Sequence, residues 1–220
     1  MTSSLAQAFH AGRLPASQSA NAARPALLLI LEGANDVDFL LRLTGRLHGE
    51  SSDLPNLPAL VNQGRVIPLP LGGGCAATWP LRFAQLGHPE FHLYDREQDV
   101  EVATRLEAIA KVNLRSGCCG FVTRKRSLEN YLHPAAIAAA GEAHVQFGDD
   151  ESVAEVVARA RRPEGWTALT WRRRRQLVQQ TKRRLNTVAV EQMNLRMLAE
   201  RDPEGELLGW LRTMQRLLGE

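Results

Sequence analysis

No apolar run in the 220-residue chain approaches the ~20 residues that a bilayer-spanning helix needs, which argues against a helical membrane protein. The opening stretch, MTSSLAQAFHAGRLPASQSANAARPA, also lacks the continuous apolar segment of a secretory leader. Rich in Ala and Ser and poor in acids, residues 1–25 read as a disordered tail, with an organelle transit segment as the alternative. Cysteine is scarce. Cys75, Cys118 and Cys119, an odd number with two adjacent, make neither a disulfide framework nor a zinc spacing. Reduced thiols in a cytoplasmic protein fit best. Lysine is scarce too, three residues against 24 Arg, a bias that fits phosphate recognition and coding bias equally. No internal repeat is visible. The remaining composition, 44% hydrophobic and 23% charged, is ordinary for a globular protein, with enough chain for one domain and a small appendage.

The pattern along the chain is strand and helix in alternation. Leu27–Leu31 is short, wholly apolar and stopped by Glu32-Gly33, as a buried parallel strand would be. A helical stripe follows over Asp36–Leu47, then loop-like composition over 48–64. Val66–Leu71 predicts a second strand, which Pro68 and Pro70 assign to a sheet edge. It runs into Gly72-Gly73-Gly74, and a short helix is expected around 76–86. Phe91–Tyr94 predicts a third strand ending on Asp95-Arg96-Glu97-Gln98-Asp99, followed by a helix over 100–113. Gly120–Thr123 predicts a fourth strand ending on Arg124-Lys125-Arg126, and Ser127–Ala140 reads as one helix. The class is therefore α/β: a parallel four-stranded sheet flanked by helices, with right-handed crossovers. Beyond about 149 only helical patterns remain, over 151–160, 169–185, 188–200 and 206–218. The expected organisation is a tail over 1–25, a sheet domain over 26–145 and a helical region over 146–220.

The acids fall where such a sheet binds ligands. Glu32, Asp95 and Glu97 lie at carboxyl ends of strands, and Asp36 lies one helical turn beyond Glu32. Four converging carboxylates repel one another unless a positive group sits among them. A hard divalent cation such as Mg²⁺ or Mn²⁺ answers that need and serves phosphoryl transfer. The plainer reading is that Asn35 or Asp36 caps the first helix, where acids are favoured anyway.

In order, Glu32-Gly33-x-x-Asp36, Leu71-Gly72-Gly73, Asp95-Arg96-Glu97 and Arg124-Lys125-Arg126-Ser127-Leu128-Glu129-Asn130-Tyr131-Leu132 each follow an expected strand. Together, over about residues 26–140, they resemble a Toprim domain, the fold shared by type IA and type II topoisomerases, bacterial primases and nucleases of the overcoming-lysogenization-defect (OLD) family. The OLD-type version is the nearest match. The resemblance implies a nucleic-acid phosphodiesterase, a nuclease or nickase, using two Mg²⁺ or Mn²⁺ ions. It makes Glu32 a metal ligand or general acid/base. It makes Asp36, Asp95, Glu97 and Glu129 further metal ligands, with Glu97 standing where the family usually has Asp. Lys182, after the sheet domain, matches a lysine that would stabilise the charged phosphate. The catalytic group so implied is Glu32, Asp95 and Lys182. DNA is the implied partner, with RNA as the alternative, together with an ATPase carried on a separate chain, since no ATPase domain is attached here. Monomer and homodimer stay open.

Other groups have two readings each. Gly72 and Gly73 can offer backbone N–H groups to a phosphate or simply turn the chain. They lack the Gly-Lys-Ser/Thr ending of a nucleotide-binding loop. Arg124 and Arg126 are candidates for nucleic-acid backbone contacts. So are Arg172 and Arg173 in the basic run near Trp166 and Trp171, although a charged helix face is more often merely solvated. The six histidines show no metal-ligand spacing. Two other functions compete with the nuclease: a non-catalytic Toprim module that binds nucleic acid or a partner, and a metal-dependent phosphatase or phosphoryl-transfer enzyme for small molecules.

Overall fold

A computed structural model describes residues 27–72, 80–96 and 99–219. It is an α/β fold with four parallel strands in the order β2-β1-β3-β4: β1 Leu27–Leu31, β2 Val66–Pro70, β3 Glu90–Tyr94 and β4 Cys118–Val122. β2 forms an edge, as its prolines require, because a proline cannot donate to a ladder on both sides. β1 and β3 are buried throughout. The chain winds from β1 outward to β2, then crosses back to β3 on the other side of β1. That reversal leaves a crevice at the carboxyl ends of β1 and β3, the switch point where open α/β sheets bind ligands.

Helices cover both faces. α1 (Ala34–His48), α2 (Leu57–Asn62), α5 (Pro134–Ala139) and α6 (Val153–Ala160) join the main core. α7 (Trp171–Arg184), α8 (Leu195–Arg201) and α9 (Glu206–Leu218) complete that face. Leu185, Ala189, Met193 and Trp210 share one cluster with Leu27, Leu29 and Leu31, so the C-terminal helices are packed into the sheet's own core. The opposite face carries a smaller cluster in which Ile109 of α4 (Asp99–Asn113) covers Leu28, Ile30 and Tyr94. α3 (Pro80–Phe83) adds Phe83 to its border. Among the described residues no helix is long and apolar enough to cross a membrane.

Three expectations need correction. Residues 48–64 are not all loop: Asn56 caps α2 by accepting from the Ala59 N–H at 3.1 Å, and Pro58 sits in its first turn, where a missing N–H costs nothing. Ser127–Ala140 is not one helix. A 3₁₀ turn over Leu128–Tyr131 is followed by an extended His133 (ψ 139°), because the residue before Pro134 is driven out of the α region. The helix expected over 188–200 is divided. α7 passes into a π turn over Leu185–Ala189 and a 3₁₀ turn over Val190–Gln192, and Asn194 caps a new helix, α8. An asparagine accepts from its own downstream backbone more readily than it sits inside a helix.

Candidate active site

Parallel register between β1 and β3, with Leu31 opposite Leu93, carries Glu32 and Asp95 off adjoining strand ends into the crevice. Asp36 sits in the first turn of α1 and accepts the Gly33 N–H at 2.8 Å. The N-cap is thus Gly33 rather than Asn35 or Asp36, and Asp36, at the third helical position, accepts the cap's N–H in return. Its charge also acts on Asp95.

Glu129 arrives by a different route. Ser127 starts the 3₁₀ turn, and the Asn130 side chain accepts from the Ser127 N–H and donates to the carbonyls of Gly148 and Glu151. Tyr131 anchors the far end in the core, edge-on to Trp210 and bonded to Glu206. This turn holds Glu129 almost fully buried, accepting from Ser127 Oγ at 2.7 Å and from Asn186 Nδ2. It also directs the Leu128 N–H to Asp95 Oδ1 at 3.2 Å. The basic-then-Glu-Asn-Tyr segment is thus a bracket that joins two acids of the cluster.

Lys182 completes the group from α7. Its Nζ lies 3.5 Å from Glu129 Oε1 and 3.9 Å from Asp95 Oδ2. The crevice therefore gathers Glu32, Asp36, Asp95, Glu129 and Lys182. Burial pushes the Asp95 carboxyl well above the ordinary carboxylate range. The charge of Asp36 adds to this, Lys182 opposes it, and Glu129 and Glu32 push it up further. Glu97 and Gly73 lie outside the described residues.

Two participants went unforeseen. Arg105 of α4 is buried and grips Glu32 twice, Nε to Oε1 at 2.8 Å and an Nη to Oε2 at 3.3 Å. A signal existed: Arg105, Ala108, Ile109 and Val112 form an i, i+3, i+4, i+7 buried stripe, and an arginine on such a stripe must have a partner inside. Asn186 is the other. It sits in the π turn, fully buried, and its Oδ1 has no hydrogen-bond partner. π turns inside helices often mark functional positions.

Behind the crevice, β3 carries a buried polar chain. His92 Nε2 meets Glu90 Oε2 at 2.8 Å and Nδ1 meets the Tyr94 hydroxyl at 2.9 Å, while Arg115 holds both Glu90 oxygens. Burial lowers His92 below its ordinary pKa and so keeps the ring neutral. Burial pushes Glu90 up, but bonds from His92 and Arg115 outweigh it and the carboxyl stays ionised. An ionised Glu90 can only accept, so Nε2 donates to it and Nδ1 accepts from Tyr94.

The expected nucleic-acid residues divide. Gly72 follows β2 at φ 74°, a left-handed conformation that suits glycine, and is exposed at the carboxyl edge. Arg124 is engaged with Glu204 and Glu206, and Arg126 donates to the Asp150 carbonyl at 3.2 Å. Both are committed to neighbouring chain rather than to the crevice. Arg172 is exposed. Arg173 lines a groove of about 500 Å³ between α6 and α7 with Arg161, Arg162 and Arg184.

The donor types, though not their present grouping, are those a hard cation takes. They are carboxylate oxygens, one of them destabilised as an anion by burial and its neighbours, and an unbonded buried amide oxygen beside them. Among the described residues, however, no three His, Cys, Asp or Glu side chains stand grouped to hold a metal ion; the cations in contact with the cluster are Lys182 and Arg105. No family model, no curated protein and no solved structure matches this chain.

Proposed function

We propose that the protein is a Mg²⁺- or Mn²⁺-dependent phosphodiesterase acting on nucleic acid, of the Toprim type. One observation carries the reading: Glu32, Asp36, Asp95 and Glu129 converge at the β1/β3 switch point with Lys182 reaching two of them. A structural role alone gives no reason to collect four acids where burial, and then their repulsion, raises Asp95. Glu32, Asp36, Asp95 and Glu129 would hold the metal, which when bound supplies Lewis-acid activation of water and of the phosphate. The chain's own groups do the rest. Arg105 fixes the Glu32 carboxylate in orientation. Asp95, held toward its protonated form by burial and its neighbours in the free protein, would give up that proton on binding the ion, which couples metal uptake to pH. Lys182 supplies positive charge for the phosphate as negative charge builds on it.

Cleavage of supercoiled plasmid and single-stranded DNA with Mg²⁺ or Mn²⁺ tests this directly. Nicking that needs the metal and disappears in Asp95→Asn and Lys182→Gln is the expected result. No cleavage of either DNA, with phosphate released from small phosphoesters instead, would refute it in favour of a phosphatase.

A second reading has an observation of its own. Arg105 and Lys182 already compensate the acids from within, as a non-catalytic binding module would need. Calorimetry discriminates, since such a module would take up no divalent ion.

A further inference from the structure

The α7 face that carries Lys182 continues away from the crevice. Trp171, Arg175, Val178 and Lys182 stand at i, i+4, i+7 and i+11, which puts them on one side of the helix. Lys182 reaches Glu129 and Asp95 at the inner end, and Val178 packs against the core midway. At the outer end Trp171 is 69% exposed, the one large aromatic left in solvent among the described residues. The Arg175 guanidinium lies over its ring, 5.4 Å from the centroid. Eleven residues of helix separate Trp171 from Lys182 by about 16 Å. No acid occurs between Glu164 and Glu191, so every charge that the helix itself carries is positive.

We propose that Trp171 and Arg175 form a stacking platform for a base of single-stranded nucleic acid, whose backbone runs down this side of α7 to Lys182. The proposal rests on the crevice acting on phosphodiesters and names the form of the substrate. An indole backed by a guanidinium offers a flat, charged surface to any unpaired base, whereas bases in a duplex are already stacked on each other. The surrounding arginines attract the backbone without reading sequence, so the platform sets strand form and leaves sequence free.

Fluorescence anisotropy with a labelled oligothymidine and with a duplex of the same length tests it. The full chain is used in EDTA, so that binding is read without metal or cleavage. Trp171→Ala is expected to weaken single-strand binding about 5- to 150-fold, the range that loss of one base–aromatic stack implies. Trp171→Phe should keep most of the affinity. The slope of log affinity against log salt should not change in Trp171→Ala, because no charge is removed. The residue is exposed, so an unaltered melting curve will verify folding. Wild-type affinity in Trp171→Ala, or an equal loss for duplex and single strand, overturns the platform. The two proposals fail separately: stacking-dependent binding without metal-dependent cleavage refutes only the hydrolysis, and cleavage with binding indifferent to Trp171 refutes only the platform.

Discussion

Replacing Arg105 by Met removes the cation that grips Glu32 while keeping much of the side-chain volume. The Glu32 carboxylate then faces Asp36 and Asp95 from a site where its side chain is only 15% exposed. Deleting one partner of a buried ion pair costs about 3–5 kcal/mol, mostly from the charge left behind. The residual exposure of Glu32 points to the lower end, about 3 kcal/mol. For a chain of this size each kcal/mol moves Tm by about 2–4 °C, so Tm should fall by about 6–12 °C. Calorimetry or circular dichroism reads this directly. Two further variants make the logic sharp. Arg105→Met combined with Glu32→Gln should regain most of the loss, because the stranded charge is gone. Mn²⁺ should stabilise Arg105→Met more than wild type, since a divalent ion restores the missing positive charge. A fall in Tm below about 2 °C would refute the pairing argument, as would an undiminished loss in the double variant. The pairing also reverses a simpler expectation. Removing Glu32 would relieve repulsion among acids, yet Glu32→Ala strands Arg105 and should destabilise the fold.

Asp95→Asn should stabilise the metal-free protein. The Asp95 pKa is raised on folding, so above its ordinary value of 3.8 ionisation is harder in the fold and stability falls as pH rises through the folded pKa; Tm against pH should lose that decline in the variant. His92 has the opposite sign. Its folded pKa is depressed, so its contribution is complete above 6.5 and drains away as pH falls through the folded value; His92→Phe should flatten that acid limb of the melting profile. Arg115→Leu leaves the buried Glu90 with His92 alone and should cost about 3–5 kcal/mol in denaturant unfolding, a loss that Glu90→Gln in the same chain should largely cancel. Arg162→Ala with Arg173→Ala should lower the salt dependence of nucleic-acid binding without changing melting, since both line the outer groove.

The strands and the acids at their ends were legible because buried parallel strands leave a strong mark: Leu27–Leu31 has no polar residue until Glu32, and the first polar residue after Tyr94 is Asp95. Lys182 was legible only through resemblance, since a lysine in Gln-Gln-Thr-Lys-Arg-Arg looks solvated until α7 turns it inward. Arg105 escaped because one arginine in a helix says nothing by itself; its meaning lies in the three buried apolar residues that share its stripe. The Glu90–His92–Tyr94 chain escaped for a related reason. Alternation places all three on one face of β3, but a buried polar face has the same period as a solvated one, and only the covering α4 distinguishes them.

The π turn over Leu185–Ala189 has a consequence for how this helix tolerates change. Its i→i+5 bonds admit one residue more than a regular helical turn. Upstream, Lys182 is phased to the crevice; downstream, Val190 and Met193 are phased to the core. The extra residue is what lets both phases coexist on one continuous helix. Deleting a single residue within 185–189 would regularise the backbone and rotate one half by about 100° against the other. The helix would then keep either its charge contacts or its core contacts. The length of this segment is therefore fixed by two sets of neighbours that agree only at the present count.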